Sequence, residues 1–459
     1  MSDLADVGMV GLGVMGANLA LNLAEKGFRV AAYDRDPRQR AALANGTQFI
    51  VCASAQDLLE AIRPPRPVIL MVPAGEATDA ALDRLAELAT SGDLLIDAGN
   101  SDFHDTRRRA AMLESQGLNF FGMGVSGGAE GARHGPALMA GGSAVIWDRV
   151  APMFKAIAAR HGEEPCAAWL GPDGVGHFVK TVHNGIEYAD MQMIAEIYGL
   201  MRDGLPADDA RISAIFRDWA DGPLSSYLIE ITSEIAAATD PLTGQPILSV
   251  IADRAGQKGT GRWSVIEAQH LGAPVGTIEA AVGARNISAA TGLREAVSSA
   301  ARGHPVPTSD VMHDALHAGK IIAYAQGFDL LARASGTYGW DLKLAQVARV
   351  WRAGCIIRSG LLDEVAATFE AEPGASLMTA PAFRDRLAPL IPALRETVSA
   401  SALSGLTTPA LASALSYLDQ LSRPRGTANM LQGMRDYFGQ HGFERTDRAG
   451  KGFHGPWVR

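Results

Sequence analysis

Short apolar runs alternate with amphipathic stretches along the first third of the chain. A helix-like stretch at 17–26 follows the first run after several glycines. Strands that alternate with helices at this spacing are typical of a parallel, doubly wound sheet. The pattern therefore predicts an α/β domain whose strands include the apolar runs at 7–12, 28–33, 68–72, 94–97 and 119–122.

The pattern changes near His177. Beyond this residue, apolar positions recur at helical spacing over long stretches and strand signals are few, which predicts a helical second domain. The break at Arg423-Pro424-Arg425-Gly426 precedes a mildly basic, glycine-rich segment. We therefore expect an α/β domain at 1–175, an all-α domain at 176–422 and a C-terminal tail at 423–459.

Composition narrows the class of protein. With 459 residues the chain exceeds one ordinary core, and a net charge of −9 argues against nucleic acid as a partner but permits a local cationic pocket. The N-terminus carries acids where a signal peptide needs basic residues, and no apolar run reaches the ~18–20 residues that cross a bilayer. Cys52, Cys166 and Cys355 are far apart, which favours a reducing compartment. We expect a soluble cytoplasmic protein with no membrane contact.

A glycine-rich turn between the first strand and the first helix predicts a dinucleotide site. Gly11-Leu12-Gly13-Val14-Met15-Gly16 has the GxGxxG pattern, in which glycines permit a tight turn and the helix N-terminus binds a pyrophosphate. The second strand ends in Asp34-Arg35-Asp36. An acid here accepts hydrogen bonds from the ribose hydroxyls and repels a 2′-phosphate, whereas Arg35 favours that phosphate. The two acids favour NAD over NADP.

One helical segment concentrates polar residues on a single face. Lys180, His183, Asn184, Glu187 and Tyr188 lie at i, i+3, i+4, i+7 and i+8 of a helix and form a polar stripe. A lysine beside a cationic nicotinamide and partly desolvated has a lowered pKa and acts as a general base. A carboxylic acid two turns away supplies the complementary acid. This pair suits oxidation of a secondary alcohol followed by a second proton transfer.

The stripe also has a simpler interpretation, a solvated face with a Lys–Glu pair. Lys180 and Tyr198-Gly199 recur 140 residues later as Lys320 and Tyr338-Gly339, which favours a duplicated helical unit. The second copy carries small or apolar residues at the other stripe positions, so we interpret the first stripe as a site and Lys320 as structural. His177 and His183 lack the spacing of a helical metal pair, and no metal site is predicted.

Two glycine-rich loops offer anion recognition or, equally, plain surface turns. The first, at 124–132, includes Ser126, Gly127 and Gly128 and has backbone N–H groups and a hydroxyl suited to a carboxylate. The second, at 255–261, sets Lys258 and Thr260 among small neighbours, which suits a phosphate.

Long motifs in the chain resemble the decarboxylating 6-phosphogluconate dehydrogenases of the β-hydroxyacid dehydrogenase superfamily. The resemblance runs from the first strand to the tail and implies a Rossmann-type domain, a large duplicated helical domain and a tail that reaches the partner subunit of a homodimer. The motifs are Ile-Asp-Ala-Gly-Asn-Ser at 96–101, Gly-Val-Ser-Gly-Gly at 124–128, His-Phe-Val-Lys-Thr-Val-His-Asn-Gly-Ile-Glu-Tyr at 177–188, Gly-Gln-Lys-Gly-Thr-Gly at 256–261, Trp-Arg-Ala-Gly-Cys-Ile-Ile-Arg-Ser at 351–359 and Arg-Asp-Tyr-Phe-Gly-Gln-His at 435–441.

The resemblance implies a reaction of the pentose phosphate pathway. The substrate would be 6-phospho-D-gluconate, and the products D-ribulose 5-phosphate, CO2 and reduced NAD or NADP. Lys180 would be the general base on the 3-hydroxyl and would later protonate the carbonyl oxygen, and Glu187 would protonate C1 of the enediol.

The resemblance also assigns binding residues. The substrate carboxylate and hydroxyls would contact Asn100, Ser126, Gly127, Gly128, His183 and Asn184. The phosphate would contact Tyr188, Lys258, Thr260 and Arg285, with Arg435 and His441 supplied by the other subunit. The cofactor would contact Gly11, Gly13, Val14, Met15, Gly16, Asp34, Arg35, Asp36, Val72, Ala74 and Asn100.

Departures from the family pattern occur at the cofactor. NADP-using members commonly have Asn-Arg-Thr at 34–36 and lysine at Pro73, so the acids and the proline strengthen the NAD prediction. NADP-using members commonly have Ala at the position of Gly13. Glycine at this position is consistent with the NAD prediction but does not strengthen it. Two other functions stay open, a non-decarboxylating β-hydroxyacid dehydrogenase and a catalytically silent nucleotide-binding protein. Glu187 and the phosphate-binding set argue against both.

Overall fold

The computed structural model describes residues 4–43, 48–257, 259–298 and 303–457. Its N-terminal part is built on an eight-stranded sheet, with a separate hairpin formed by β8 and β9. The strands are β1 (Val7–Val10), β2 (Val30–Tyr33), β3 (Phe49–Val51), β4 (Pro67–Leu70), β5 (Leu94–Asp97), β6 (Asn119–Ser126), β7 (Ala137–Gly141), β8 (Arg160–His161), β9 (Glu164–Pro165) and β10 (Ala167–Gly171).

The strand order is β10-β7-β6-β5-β4-β1-β2-β3. From β3 to β6 the strands are parallel and have the order of a Rossmann-type sheet, as predicted. The prediction of parallel pairing is wrong for β7, which runs antiparallel to β6. A parallel crossover needs a dozen or more residues, and the link between β6 and β7 is shorter than that. The chain therefore folds straight back.

Helices cover both faces of the sheet. Leu19 of α1 and Phe154 of α7 pack on one face, and Leu58 of α3, Leu82 of α4 and Leu113 of α5 pack on the other; all are buried. Burial of both faces explains why the strands are continuous apolar runs. The helices of this part are α1 (Val14–Glu25), α2 (Pro37–Ala41), α3 (Ala55–Glu60), α4 (Glu76–Ala86), α5 (Phe103–Ser115), α6 (Gly128–His134) and α7 (Ala144–Ile157).

The rest of the described chain is helical. A three-residue 3₁₀ turn, Ala388–Leu390, precedes α19. The helices are α8 (Val175–Asp203), α9 (Asp209–Ala220), α10 (Tyr227–Ala237), α11 (Ile247–Val250), α12 (Thr260–His270), α13 (Gly276–Ala289), α14 (Thr291–Ala296), α15 (Ser309–Tyr338), α16 (Leu344–Trp351), α17 (Leu361–Ala371), α18 (Pro381–Leu387), α19 (Ile391–Ser404), α20 (Pro409–Leu421) and α21 (Ala428–Gly439).

The two long helices, α8 and α15, lie against each other in the main core and carry the internal repeat. Lys320 is buried and pairs with Asp190 at 2.9 Å, which supports a structural role for this lysine. Gly327, which stands at the repeat position of Glu187, is small because a Cβ there would lie 2.5 Å from Ile186 Cδ1. Packing therefore requires a small residue at position 327. Its lack of a carboxyl is then no evidence that Glu187 has a functional role.

One buried side chain, Asp436, holds the C-terminal segment against α21. Asp436 on α21 accepts hydrogen bonds from Gly442 N, Gly455 N, His454 Nδ1 and Trp457 Nε1 at 2.7 to 3.0 Å. Nearby apolar side chains on α21 stay exposed, among them Met430, Leu431, Tyr437 and Phe438. Within the described residues, no helix is both long and apolar enough to cross a membrane.

Candidate active site

The residues predicted to bind the cofactor meet at one edge of the sheet. They follow the carboxyl ends of four neighbouring strands, β2, β1, β4 and β5. The crevice beyond these ends is where open α/β sheets bind ligands, because the strand order reverses there and the adjoining loops separate. The residues at this edge are Gly11, Gly13, Val14, Met15, Gly16, Asp34, Arg35, Asp36, Val72, Ala74 and Asn100.

The turn into α1 fits a pyrophosphate. A side chain at Gly16 would clash with the carbonyl oxygen of Gly11, so the third glycine of the motif is required by close packing. Gly13 caps α1 and is exposed together with Val14, which leaves the first N–H groups of the helix open to an anion. A Cβ at Gly13 would meet nothing within 4 Å, so alanine fits here equally well.

The acids after β2 have more roles than the sequence indicated. Asp34 accepts hydrogen bonds from Leu12 N at 2.7 Å and from Asp36 N at 2.8 Å, so it also ties the glycine turn to β2. Asp36 caps α2 and is bound by Arg38, whose hydrogen bonds lower the pKa of Asp36 below its ordinary value. Arg35 is exposed. Both side chains are therefore fixed in place beside the expected ribose position.

A buried network that sequence reasoning missed supports Asn100. Asp97 accepts hydrogen bonds from Gly99 N at 3.0 Å and Ser101 Oγ at 2.6 Å, and it pairs with fully buried Arg109 at 3.2 Å. The loop between these contacts is thereby fixed, with exposed Asn100 at its tip. The motif at 96–101 had marked this segment as part of the family resemblance, but nothing in the sequence indicated that Asp97 pairs with Arg109.

The polar stripe of α8 is buried, which excludes a solvated face. Lys180, His183, Asn184 and Tyr188 are each 6% exposed or less. Lys180 Nζ donates to Ser126 Oγ at 3.0 Å and lies 3.4 Å from His183 Nδ1. The other ring nitrogen of His183 lies 3.1 Å from Ser126 Oγ. The loop after β6 and the stripe therefore form one cluster.

The electrostatics of this cluster favour neutral groups. Burial lowers the pKa of Lys180, opposed by the Glu187 carboxylate. Burial raises the pKa of Glu187, opposed by Lys180 and then Arg285. Burial and then the Lys180 charge hold the pKa of His183 well below its ordinary value, so this ring is neutral. A lysine that loses its proton easily and an acid that keeps its own are suited to base and acid catalysis respectively.

Three glycines let the end of β6 and the loop after it approach α8. A Cβ at Gly124 would lie 2.5 Å from Lys180 Cβ, so only glycine permits this contact between strand and helix. Gly127 and Gly128 have φ of +115° and +62° and turn the chain into α6. The exposed backbone of Gly128 borders Ser126, as expected for a carboxylate cradle.

The end of α16 and the segment after it also border the cluster, a role that sequence reasoning did not assign. The Trp351 ring lies edge-on to His183 with centroids 5.6 Å apart. Cys355 is fully buried, and burial raises the pKa of its thiol to about 12, so it is an inert neutral group here. The motif at 351–359 contributed to the family resemblance, but no role in the site could be assigned to it from the sequence.

Residues assigned to the phosphate surround Tyr188. Arg285 Cζ lies 3.5 Å from the centroid of the Tyr188 ring. A Cβ at Gly261 would lie 2.5 Å from that ring, so the first turn of α12, which begins at Thr260, packs against it. Lys258 lies outside the described residues. Tyr188, the residue after Glu187, is therefore contacted by Arg285 and by the first turn of α12.

Within this chain, Arg435 and His441 do not join the site in any contact of the described residues. Arg435 is exposed and donates to Gln432 of its own helix at 3.3 Å. His441 is exposed and borders a cavity of about 720 Å³ with Trp457 and Gln432. These two residues belong to the tail, away from the Lys180 cluster.

Comparison with known proteins agrees with this geometry. Residues 6–171 match the NAD binding domain of 6-phosphogluconate dehydrogenase, and residues 176–457 match the C-terminal domain of 6-phosphogluconate dehydrogenase. The chain belongs to the 6-phosphogluconate dehydrogenase family. It is 43% identical, over 99% of each chain, to the decarboxylating 6-phosphogluconate dehydrogenase of Synechococcus elongatus.

Other members of the 6-phosphogluconate dehydrogenase family differ in cofactor. The chain is 42% identical to the NAD(+)-dependent, decarboxylating enzyme of Bacillus subtilis, over 98% of this chain and 99% of that one. It superposes on the 6-phosphogluconate dehydrogenase of Plasmodium falciparum with a TM-score of 0.92 and 36% identity, over 98% and 100% of the two chains. That protein was solved with NADP+ and with 6-phosphogluconate. Family membership therefore establishes a dinucleotide site and leaves the preferred dinucleotide to the residues of this chain.

Proposed function

We propose that the Lys180 cluster performs oxidative decarboxylation of 6-phosphogluconate to ribulose 5-phosphate and CO2. The observation that carries this function is a buried lysine and a partly buried carboxyl on one helix face, with a neutral histidine between them. His183 Nδ1 lies 3.4 Å from Lys180 Nζ and 3.7 Å from Glu187 Oε2. Family membership over the full chain supplies the substrate and the decarboxylating outcome.

Each of the two groups has a distinct proton to move. A nicotinamide dinucleotide, when bound, accepts the hydride that leaves C3 of the substrate. Neutral Lys180 takes the proton of the 3-hydroxyl, so that the C3 carbonyl forms. The C1–C2 bond then breaks, CO2 leaves, and protonated Lys180 returns its proton to the C3 oxygen to give an enediol. Glu187 finally protonates the former C2, which is C1 of ribulose 5-phosphate, while neutral Lys180 takes back the proton of the enediol oxygen and the ketone forms.

The substrate's two anionic ends are bound by different elements. Ser126, Gly127 and Gly128 hold the carboxylate and nearby hydroxyls together with Asn100, His183 and Asn184. Tyr188, Lys258, Thr260 and Arg285 hold the phosphate. Arg285 already faces the Tyr188 ring at 3.5 Å, so its guanidinium is oriented before substrate arrives.

Product analysis tests this function against the two alternatives. We expect purified protein to release one CO2 and one ribulose 5-phosphate for each reduced cofactor. Oxidation without CO2 release identifies a non-decarboxylating hydroxyacid dehydrogenase. Absence of turnover with either cofactor identifies a silent nucleotide-binding protein.

We also propose that NAD is the preferred cofactor. Asp34 and Asp36 lie at the end of β2, beside the expected ribose position, where acidic residues repel a 2′-phosphate. Pro73, exposed between Val72 and Ala74, adds no positive charge for that phosphate.

The cofactor prediction is tested with Asp34→Asn. We expect the wild type to have a higher kcat/KM with NAD than with NADP, and the variant's ratio to fall about tenfold, or ~1.4 kcal/mol, because one repulsive charge is removed. The ratio is the readout because Asp34 also holds the glycine turn, and loss of that contact affects both cofactors alike. Asp57→Asn, on α3, is the control. A wild type that prefers NADP contradicts the proposal.

We propose a homodimer whose active sites are shared, with the chain divided at 1–175, 176–422 and 423–459. α20 ends at Leu421 and α21 begins at Ala428, after which exposed apolar residues follow one another. Such a helix suits burial against a second copy. Arg435 and His441 would then reach the partner's phosphate site. The free, buried cysteines support a cytoplasmic location.

Mixing two inactive variants tests the shared site. We expect co-expressed Lys180→Met and Arg435→Ala chains to recover about a quarter of wild-type activity, because half of the subunits form mixed dimers and each mixed dimer has one intact site. Each parent alone is expected to be nearly inactive, and Arg425→Ala, before the tail helix, is the active control. Recovery no greater than the sum of the parents contradicts sharing.

A further inference from the structure

Three side chains of ligand type meet at the junction between the two domains, away from the Lys180 cluster. His104 lies on α5 of the nucleotide-binding part, and Glu267 and His270 lie one turn apart on α12. Glu267 Oε2 is 3.1 Å from His104 Nε2 and 3.4 Å from His270 Nδ1. One ligand atom from each of the three lies within 4.8 Å of the others.

These separations match a tetrahedral metal site. Zinc binds histidine nitrogen and carboxylate oxygen at about 2.0–2.2 Å, so neighbouring ligand atoms in a tetrahedron are roughly 3.4 Å apart. The two histidine-to-glutamate distances lie close to that value. Two imidazoles and one carboxylate form a donor set that zinc commonly takes, with one position left for water.

The central carboxylate is already oriented. Glu267 is only 4% exposed, and its other oxygen, Oε1, accepts a hydrogen bond from the Tyr338 hydroxyl. Outer contacts of this kind fix the direction of a metal ligand. The Arg107 guanidinium lies 5.3 Å from the centroid of the Tyr338 ring and is paired with Asp173, so its charge is compensated.

The ring of His104 is in contact with an aromatic side chain. The His104 ring lies on Phe103, with centroids 4.0 Å apart. Phe103 is buried against Phe178, Tyr338 and Trp340. The His104 side chain is itself 53% exposed, and its Nε2 faces Glu267. His270 is the more exposed ligand, with 66% of its side chain accessible, and provides the route of entry.

We propose that His104, Glu267 and His270 bind a zinc ion, with water in the fourth position, and that the ion ties α5 to α12. The first turn of α12 packs on Tyr188 at the proposed phosphate site, so an ion at the other end of this helix holds its position against the nucleotide-binding domain. The function of the site is mechanical, and the ion takes no part in hydride or proton transfer.

Zinc binding to the purified full-length protein tests this assignment. The chain is stripped with a chelator and titrated with zinc alone against a chromophoric chelator, and cobalt is used as a spectroscopic probe of tetrahedral geometry. We expect one tight zinc per chain. His270→Ala is expected to weaken binding beyond ~100-fold, and Tyr338→Phe, which removes an outer contact, by roughly 10–100-fold.

His161→Ala is the matched control, because His161 also faces a single carboxylate, Asp363 at 3.2 Å, without a third ligand. Circular dichroism and turnover of 6-phosphogluconate check that each variant is folded. Zinc is expected to raise the unfolding temperature of the wild type and of His161→Ala but not of His270→Ala. Equal zinc binding by wild type and His270→Ala overturns the proposal and leaves a hydrogen-bonded cluster alone.

Discussion

Replacing Lys180 with methionine is expected to lower kcat by roughly 10²–10⁴-fold, because the base that accepts the 3-hydroxyl proton is lost. Substrate affinity is expected to change little, since Ser126 and the phosphate-binding set remain. Methionine fills a similar volume in the buried position that Lys180 occupies. Steady-state formation of reduced cofactor gives kcat, and equilibrium binding of 6-phosphogluconate gives the affinity.

Lys320 is the internal control for this experiment. It is buried at the repeat position of Lys180 and also donates to a serine, Ser226, at 3.0 Å. Among the described residues Lys180 has no ion-pair partner, whereas Lys320 pairs with Asp190. Lys320→Met therefore leaves a buried acid without its partner and is expected to cost about 3–5 kcal/mol of folding free energy. Lys343→Met removes the lysine of an exposed ion pair and is expected to change neither kcat nor the folding free energy. Full turnover by Lys180→Met would remove Lys180 as the base.

Replacing Glu187 with glutamine is expected to have the second-largest effect, a fall in kcat of roughly 10²–10⁴-fold. Glutamine keeps the shape of the side chain but has no proton to give to the enediol. In D2O, the wild type is expected to place deuterium at C1 of ribulose 5-phosphate with one stereochemistry, whereas the variant gives a mixture. NMR of the product distinguishes loss of the acid from a general disturbance of the site.

The pH profile gives an independent check on Glu187. The acid must be protonated and Lys180 must be neutral, so wild-type kcat is expected to rise and then fall as pH increases. Burial raises the pKa of Glu187 and lowers that of Lys180, which enlarges the fraction with both groups in the active form. Without Glu187 the falling limb is expected to disappear. Glu234→Gln, exposed on α10, is the control, and a variant that keeps the bell shape and the stereochemistry contradicts the assignment.

Periodicity was a good guide wherever burial is uniform. β5 was predicted without error, since a strand covered on both faces is apolar along its whole length. The direction of β7 was missed because it depends on the length of the link after Ser126, which no pattern of apolar residues reports. The stripe on α8 was found by spacing, but its burial beneath β6 and the segment after α16 was not visible.

Residues that act together and lie within one turn or one helix are close in the sequence. We could therefore predict the glycine turn at 11–16, the acids after β2 and the Lys180 stripe from the sequence alone. Their spacing is the spacing of one turn or one helix face. Contacts between distant segments carry no such signature. Asp97 with Arg109, Trp351 against His183, and His104 facing Glu267 and His270 arise only when separate elements pack together. Helix and strand geometry therefore set which side chains share a face, while the docking of one element on another set which faces meet and which groups lose water.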